Sequence, residues 1–166
     1  MIHVAIAEDD PNCAKQLERF LREFGRESGR AFQITHYDNG EDLIEQYRSN
    51  FDLIFLDIEM PFVDGLTAAK HIRQIDPKVI MIFITNLAQY AIRGYEVNAL
   101  DYIVNPIKYT SFSLHLSRAM PHLSAQEDTC LVIAVKGGVA KLDPDSILYI
   151  ETNCCFTQRH RSIPPP

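Results

Sequence analysis

Apolar runs and helix-like patterns alternate five times along the first 122 residues. Each run is rich in branched or aromatic residues and has the length of a strand, and each is followed by apolar residues spaced three or four apart, as in an amphipathic helix. The predicted strands cover residues 2–7, 32–36, 51–57, 79–84 and 102–104. The predicted helices contain Ala14–Phe24, Leu43–Tyr47 and Leu66–Ile72, and then about 88–95 and 108–122.

This alternation predicts the fold class. Strands that alternate with helices form a parallel sheet with right-handed crossovers and helices on both faces. We therefore predict an α/β fold, a doubly wound parallel sheet built from five strand–helix units. Asp10 and Pro11 suit the cap and the first position of the first helix, and Gly25 to Gly29 are expected to end that helix.

The stretch from Phe51 to Gly65 contains the most distinctive strand. Its apolar residues fall on both faces, which is typical of a strand buried between two helical layers. The run ends on Asp57, which is therefore expected at the carboxyl edge of the sheet, where open α/β sheets place their ligands. Met60-Pro61 stops the strand, and Asp64-Gly65 turns the chain toward the next helix.

The pattern changes after Leu123. Residues 124–129 are polar and resemble a linker, and short strands joined by turns are predicted over 131–135, 139–142 and 147–150. This β-rich segment is too short to bury a core unaided. We therefore expect a receptor of chemistry in residues 1–122, a linker over 123–130, and an incomplete β-rich fragment over 131–166.

Composition narrows the functional classes. The net charge of −6 argues against a general nucleic-acid or anionic-membrane surface. No apolar stretch approaches the roughly 20 residues that span a bilayer, and the start has no signal-peptide pattern, so we expect a cytoplasmic protein with no membrane partner. The four cysteines show no spacing suited to zinc, and adjacent Cys154-Cys155 is most simply a pair of reduced thiols.

Three carboxylates are expected to converge at the carboxyl edge of the sheet. Glu8 and Asp9 follow the first strand and Asp57 follows the third, and these strand ends lie side by side in such a sheet. Carboxylates pressed together repel one another unless a cation lies among them, and an oxygen-only ligand set favours Mg²⁺. A carboxylate beside Mg²⁺ is a competent phosphoryl acceptor, and the Thr85 hydroxyl at the end of strand four could bind a phosphoryl oxygen.

These motifs together resemble the receiver domain of response regulators over residues 1 to about 122. The resemblance implies a flavodoxin-like (βα)5 fold in which Asp57 accepts a phosphoryl group from a sensor histidine kinase. It implies that Glu8, Asp9, Asp57 and the backbone carbonyl of Glu59 hold Mg²⁺. The matching residues are Glu8-Asp9, Asp57, Met60-Pro61, Asp64-Gly65, Thr85, and Asp101-Tyr102 before Pro106.

The resemblance also carries expectations about readout. Thr85 and Tyr102 match the pair whose coupled rearrangement transmits phosphorylation to the face formed by helix four, strand five and helix five, which is the expected homodimer interface. The stretch from Phe83 to Ile107 is most similar to the LytTR subfamily, and residues 131–151 resemble the opening strands of its DNA-binding domain. Since the remainder of that domain is missing, this chain is expected not to bind DNA by itself.

Two positions depart from the family pattern. Asn105 stands where the family has a lysine that pairs with the phosphorylated aspartate, and the change removes a full positive charge. Losing such a contact in a partly buried site is worth about 1–3 kcal/mol. Asn86 follows Thr85, where a small residue is usual. Phosphorylation of Asp57 is still expected, with weaker coupling to Tyr102.

Three other functions fit parts of the pattern. Asp57-Ile58-Glu59 resembles the Asp-x-Asp of aspartyl phosphatases and phosphotransferases, but that motif ends the first strand and is followed by a later acidic pair that is missing here. A nucleotide or flavin module would use a glycine- or hydroxyl-rich loop, and the acidic run from Glu8 to Asp10 would repel phosphate. A receiver acting by protein contact without phosphorylation is favoured by Asn105. We therefore expect a signalling protein, not an enzyme.

Overall fold

The computed structural model describes residues 1–86, 97–127, 131–135 and 138–142. Strands β1 to β5 are Ile2–Ala7, Phe32–Tyr37, Leu53–Leu56, Ile80–Thr85 and Asp101–Val104. Helices α1 to α4 are Pro11–Ser28, Gly40–Gln46, Gly65–Ile75 and Tyr109–Glu127. Within the described residues, all pairs of the main sheet are parallel and its order is β2-β1-β3-β4-β5, which confirms the predicted α/β fold and its flavodoxin-like topology.

The sheet separates two apolar cores. On one face, Ile6, Phe55 and Ile82 pack with the apolar sides of α1 and α4. On the other face, Leu56 and Phe83 pack with α2 and α3. Because successive strand residues point to opposite faces, both sides of β3 are buried, as its apolar run predicts. None of the described helices is both long enough and apolar enough to cross a membrane.

The ends of α1 follow from its sequence. Asp10 is the N-cap, and its side chain accepts a hydrogen bond from the backbone N–H of Asn12, with Pro11 at the first helical position. The helix continues through Gly25 and ends at Ser28, because Gly29 takes the left-handed conformation with φ of 68°. Gly29, rather than Gly25, is therefore the residue that ends the helix.

The last part of the chain differs in detail from the prediction. Helix α4 extends to Glu127, so the first residues of the expected linker are helical even though Pro121 lies inside the helix. Strands β6, Leu131–Val135, and β7, Gly138–Leu142, pair antiparallel in a unit of their own. The helix predicted near 88–95 and the strand predicted over 147–150 lie outside the described residues.

Candidate functional site

Asp57 lies directly beside the loop that follows β1. Strands β1 and β3 are neighbours, and their parallel register pairs Ala7 with Leu56. The backbone N–H of Asp57 extends this pairing by donating to the carbonyl oxygen of Ala7 at 2.9 Å. The carboxyl ends of the two strands therefore coincide, and the residues that follow them, Glu8 with Asp9 and Asp57, face one another at the same edge.

The three carboxylates form one compact cluster. One oxygen from each of Glu8, Asp9 and Asp57 lies within 4.8 Å of the others. Glu8 is 5% exposed and Asp57 is 7% exposed, whereas Asp9 is open to solvent. Two buried acids and one exposed acid thus share a small volume, and water can screen only the last of them effectively.

Burial changes the acid–base properties of two of these groups. Desolvation raises the pKa of Glu8 from 4.5 to about 7, and the neighbouring charges of Asp57 and Asp9 act in the same direction. Desolvation also raises the pKa of Asp57, while hydrogen bonds from the Glu59 backbone and the Thr85 side chain oppose this rise. The folded chain without a cation therefore resists full ionisation of the cluster.

The cluster fits a hard divalent cation. Its donors are all oxygens, the set that Mg²⁺ prefers in proteins. Within the part of the chain that the structure describes, Oε2 of Glu8 is the one buried side-chain oxygen or nitrogen without a hydrogen-bond partner. A buried oxygen without a donor costs free energy unless something compensates its charge. A cation among the three carboxylates would supply that compensation.

We predict that the free energy of unfolding of the metal-free protein falls as pH rises from about 5 to 8. The unfolded chain loses the Glu8 proton near 4.5, whereas the folded chain keeps it up to about 7. Between these values the folded state binds more protons, so stability is fully present below the lower pKa and is lost through the higher one. The loss is about 3 kcal/mol, and burial of Asp57 adds to it.

Urea unfolding at both pH values, with and without Mg²⁺, checks this prediction. Saturating Mg²⁺ should restore stability at pH 8, because the cation binds the folded, ionised cluster. A stability that does not change with pH would contradict the prediction.

Thr85 and Tyr102 connect the cluster to the edge of the sheet. Thr85 ends β4, is fully buried, and hydrogen-bonds the Asp57 carboxyl. Its carbonyl oxygen accepts from the backbone N–H of Asn105 at 3.0 Å. Tyr102 pairs with Phe83 across β4 and β5, and their ring centroids lie 6.3 Å apart. The predicted switch residues thus occupy adjacent strands, with Tyr102 only partly buried.

Asn105 does not reach toward Asp57 with its amide. Its Nδ2 donates to the sulfur of Cys13 at 3.9 Å, and the residue is partly buried. Lys108, the nearest following cation, is exposed. The sequence gave no sign of this contact, because Cys13 looks like an isolated thiol on the first turn of a helix.

The loop after Asp57 passes very close to the start of α3, which the sequence did not predict. A Cβ atom on Gly65 would lie 1.9 Å from the backbone oxygen of Asp57. The Gly65 N–H donates to the carbonyl of Ile58 at 3.1 Å, and the Asp64 side chain caps α3 by accepting from Thr67. In the same loop Phe62 has a φ of 65° and is 86% exposed.

The fold and the carboxylate pocket define the class of protein. A doubly wound five-stranded sheet with acidic residues after β1 and β3 is the arrangement of a phosphoacceptor signalling domain. Residues 4–116 match the response regulator receiver domain family. The chain belongs to this family, whose members are signalling domains of two-component systems rather than enzymes.

Curated relatives agree with this membership. The chain is 31% identical over 129 residues to the sensory transduction protein LytT of Oceanobacillus iheyensis, which covers 76% of this chain and 51% of the relative. It is 30% identical over 138 residues to LytR of Streptococcus agalactiae, covering 81% of this chain and 55% of the relative. The chain therefore spans about half the length of these relatives.

Solved structures support the same fold. The response regulatory domain of protein mrkE from Klebsiella pneumoniae superposes with a TM-score of 0.68 at 28% identity, covering 75% of this chain and 100% of that one. The response regulator TrrA from Thermotoga maritima, determined in complex with Mg²⁺–BeF, gives a TM-score of 0.63 at 28% identity, covering 72% and 99%.

Proposed function

We propose that this chain is the receiver part of a LytTR-type response regulator and that Asp57 accepts a phosphoryl group from a sensor histidine kinase. One observation supports the proposal most strongly: Glu8, Asp9 and Asp57 present carboxylate oxygens within 4.8 Å of one another, and the cluster contains the unpartnered Oε2 of Glu8. This arrangement is costly for a purely structural site and is suited to a cation beside a nucleophile.

Each residue then has a chemical role. Glu8, Asp9, Asp57 and the backbone carbonyl of Glu59 hold Mg²⁺, which supplies positive charge to the oxygens of the transferring group. An Asp57 oxygen attacks the phosphorus of a phosphohistidine, the P–N bond breaks, and the histidine nitrogen keeps the electron pair. The Thr85 hydroxyl, now bound to Asp57, donates instead to a phosphoryl oxygen.

We predict that a small phosphodonor such as acetyl phosphate labels the protein once, in the presence of Mg²⁺. Asp57→Asn should lose labelling by about 100-fold or more, because the amide cannot serve as the nucleophile. Intact-protein mass spectrometry with hydroxylamine, which cleaves acyl phosphates, measures the label. Asp52→Asn, a change of the same type at the start of β3, is the matched control. Equal labelling of Asp57→Asn and the unchanged protein would contradict the proposal.

We infer that Asn105 weakens the link between phosphorylation and the switch pair Thr85–Tyr102. A lysine at 105 would place a charge near the phosphoryl group, whereas the amide donates to Cys13. Asn105→Lys should therefore increase phosphorylation-dependent dimerisation about tenfold or more. Analytical ultracentrifugation of the phosphorylated proteins measures this change. Asn105→Gln, a longer amide without charge, is the control, and full dimerisation of the unchanged protein would contradict the inference.

The remaining assignments follow the same proposal. Residues 1–122 form the receiver, 123–130 connect it to the next segment, and 131–166 begin a LytTR-type DNA-binding domain. The homodimer forms through the predicted helix near 88–95, β5 and α4, and Val104 and Leu114 contribute exposed apolar side chains to the described part of that face. DNA binding requires a complete LytTR domain. A sequence-dependent shift of a promoter fragment by this chain would contradict that last point.

A second function is favoured by the environment of Asn105. A receiver whose amide is bound to Cys13 could act through protein contact without phosphorylation. In that case Asp57→Asn would leave partner binding and dimerisation unchanged. The labelling experiment above and a dimerisation assay on the same variant distinguish the two functions.

A further inference from the structure

Cys13 lies between the carboxylate cluster and the segment that follows β5. It is the third residue of α1, and its thiol is partly buried. The sulfur accepts from Nδ2 of Asn105 at 3.9 Å. The thiol also hydrogen-bonds the Glu8 carboxyl, and this contact together with burial raises the pKa of Cys13 to about 12. The sulfur is therefore a protonated thiol that touches one residue on each side.

The first two turns of α1 hold the segment after β5 at a second point. Nε2 of Gln16 donates to the carbonyl oxygen of Ile107 at 3.1 Å. The same segment is attached to β4 through the Asn105 backbone N–H and the Thr85 carbonyl. Residues 105–107 are thus bound both to the start of α1 and to the strand that carries Thr85, so a shift of either would displace Asn105.

Glu8 uses its two carboxylate oxygens differently. Oε1 accepts a hydrogen bond from the backbone N–H of Asp10 at 3.2 Å. Oε2 is buried and, among the described residues, has no hydrogen-bond partner. One oxygen is therefore held at the start of α1 and the other remains for a cation. Any group that orients this carboxylate also sets the position of that second oxygen.

We propose that Cys13 is a positioning residue that couples the metal ligand Glu8 to Asn105. The Asn105 amide donates to the sulfur, and the thiol donates to the Glu8 carboxylate, so the three side chains form one hydrogen-bonded chain. The inference rests on the proposed function, in which Glu8 holds Mg²⁺. Partners that orient a metal ligand commonly change metal affinity by about 10–100-fold when removed.

Mg²⁺ affinity measured by calorimetry, without any phosphodonor, tests the coupling. Cys13→Ala should bind Mg²⁺ about tenfold more weakly than the unchanged protein. Asn105→Ala should also weaken binding in the presence of Cys13, but should have no further effect in the Cys13→Ala background. Cys13→Ser, which keeps a donor and an acceptor, should recover part of the affinity. Gln16→Ala breaks the neighbouring α1 contact and should leave the affinity unchanged.

The outcomes separate this inference from the proposed function. Effects of Cys13→Ala and Asn105→Ala that multiply independently would overturn the coupling, as would an unchanged affinity in Cys13→Ala. An unchanged protein that binds no Mg²⁺ would overturn both the coupling and the proposed function. Thermal unfolding of the metal-free variants establishes that each is folded, and the Cys13→Ser protein provides the comparison if Cys13→Ala does not fold.

Discussion

Glu8→Gln is expected to abolish Mg²⁺ binding while making the metal-free protein more stable at about pH 8. Glutamine keeps the shape of the side chain but removes the charge that a cation needs. Since even outer-shell partners change metal affinity by about 10–100-fold, loss of a ligand should cost about 100-fold or more. Calorimetric titration with Mg²⁺ measures the first effect.

The second effect follows from the raised pKa of Glu8. Ionising this buried carboxyl in the folded, metal-free chain costs about 3 kcal/mol at pH 8, and glutamine avoids that cost. Stability should therefore rise by about 2–3 kcal/mol at pH 8 and change little near pH 5, where Glu8 keeps its proton. Urea unfolding measures the change. Glu45→Gln, which removes an exposed carboxylate from α2, should change neither property, and loss of stability in Glu8→Gln at pH 8 would contradict the account.

Gly65→Ala is expected to lower the free energy of unfolding by about 3 kcal/mol or more. The new methyl group would lie 1.9 Å from the backbone oxygen and 2.9 Å from the carbonyl carbon of Asp57, and a backbone neighbour cannot rotate away. Either α3 or the strand end must move. Because the strand end carries the phosphoacceptor candidate, labelling by acetyl phosphate should fall together with stability.

Gly29→Ala provides a matched comparison for that change. Gly29 has a φ of 68°, but a Cβ there would meet no atom within 4 Å. An alanine in this conformation costs about 1–2 kcal/mol through backbone strain alone. Gly65→Ala should therefore be clearly more destabilising than Gly29→Ala in urea unfolding. Equal losses would mean that the loop after β3 accommodates the methyl group without displacing Asp57.

The positions of the carboxylates could be predicted because sheet geometry dictates them. Neighbouring parallel strands end at the same edge, so the residues after β1 and β3 must meet there. No side-chain detail is needed for that conclusion. The same reasoning places Thr85 beside Asp57, since β4 is the next strand in the sheet.

Other features depend on contacts that no local pattern contains. The sulfur of Cys13 meets Asn105 across a separation of 92 residues, and only the packing of α1 against the segment after β5 brings them together. The requirement for glycine at 65 depends on how closely the loop passes Asp57. Helix α4 continues to Glu127 through a polar stretch, where composition alone favours a linker.

A crystal structure of the protein with Mg²⁺ and beryllofluoride, a phosphoryl mimic, tests the central claim most directly. The account predicts density joined to an Asp57 carboxylate oxygen and a cation bound by Glu8, Asp9 and Asp57, with the Thr85 hydroxyl turned toward the mimic. A structure in which the mimic is absent from Asp57 and the three carboxylates hold no cation, at saturating concentrations of both, would contradict it.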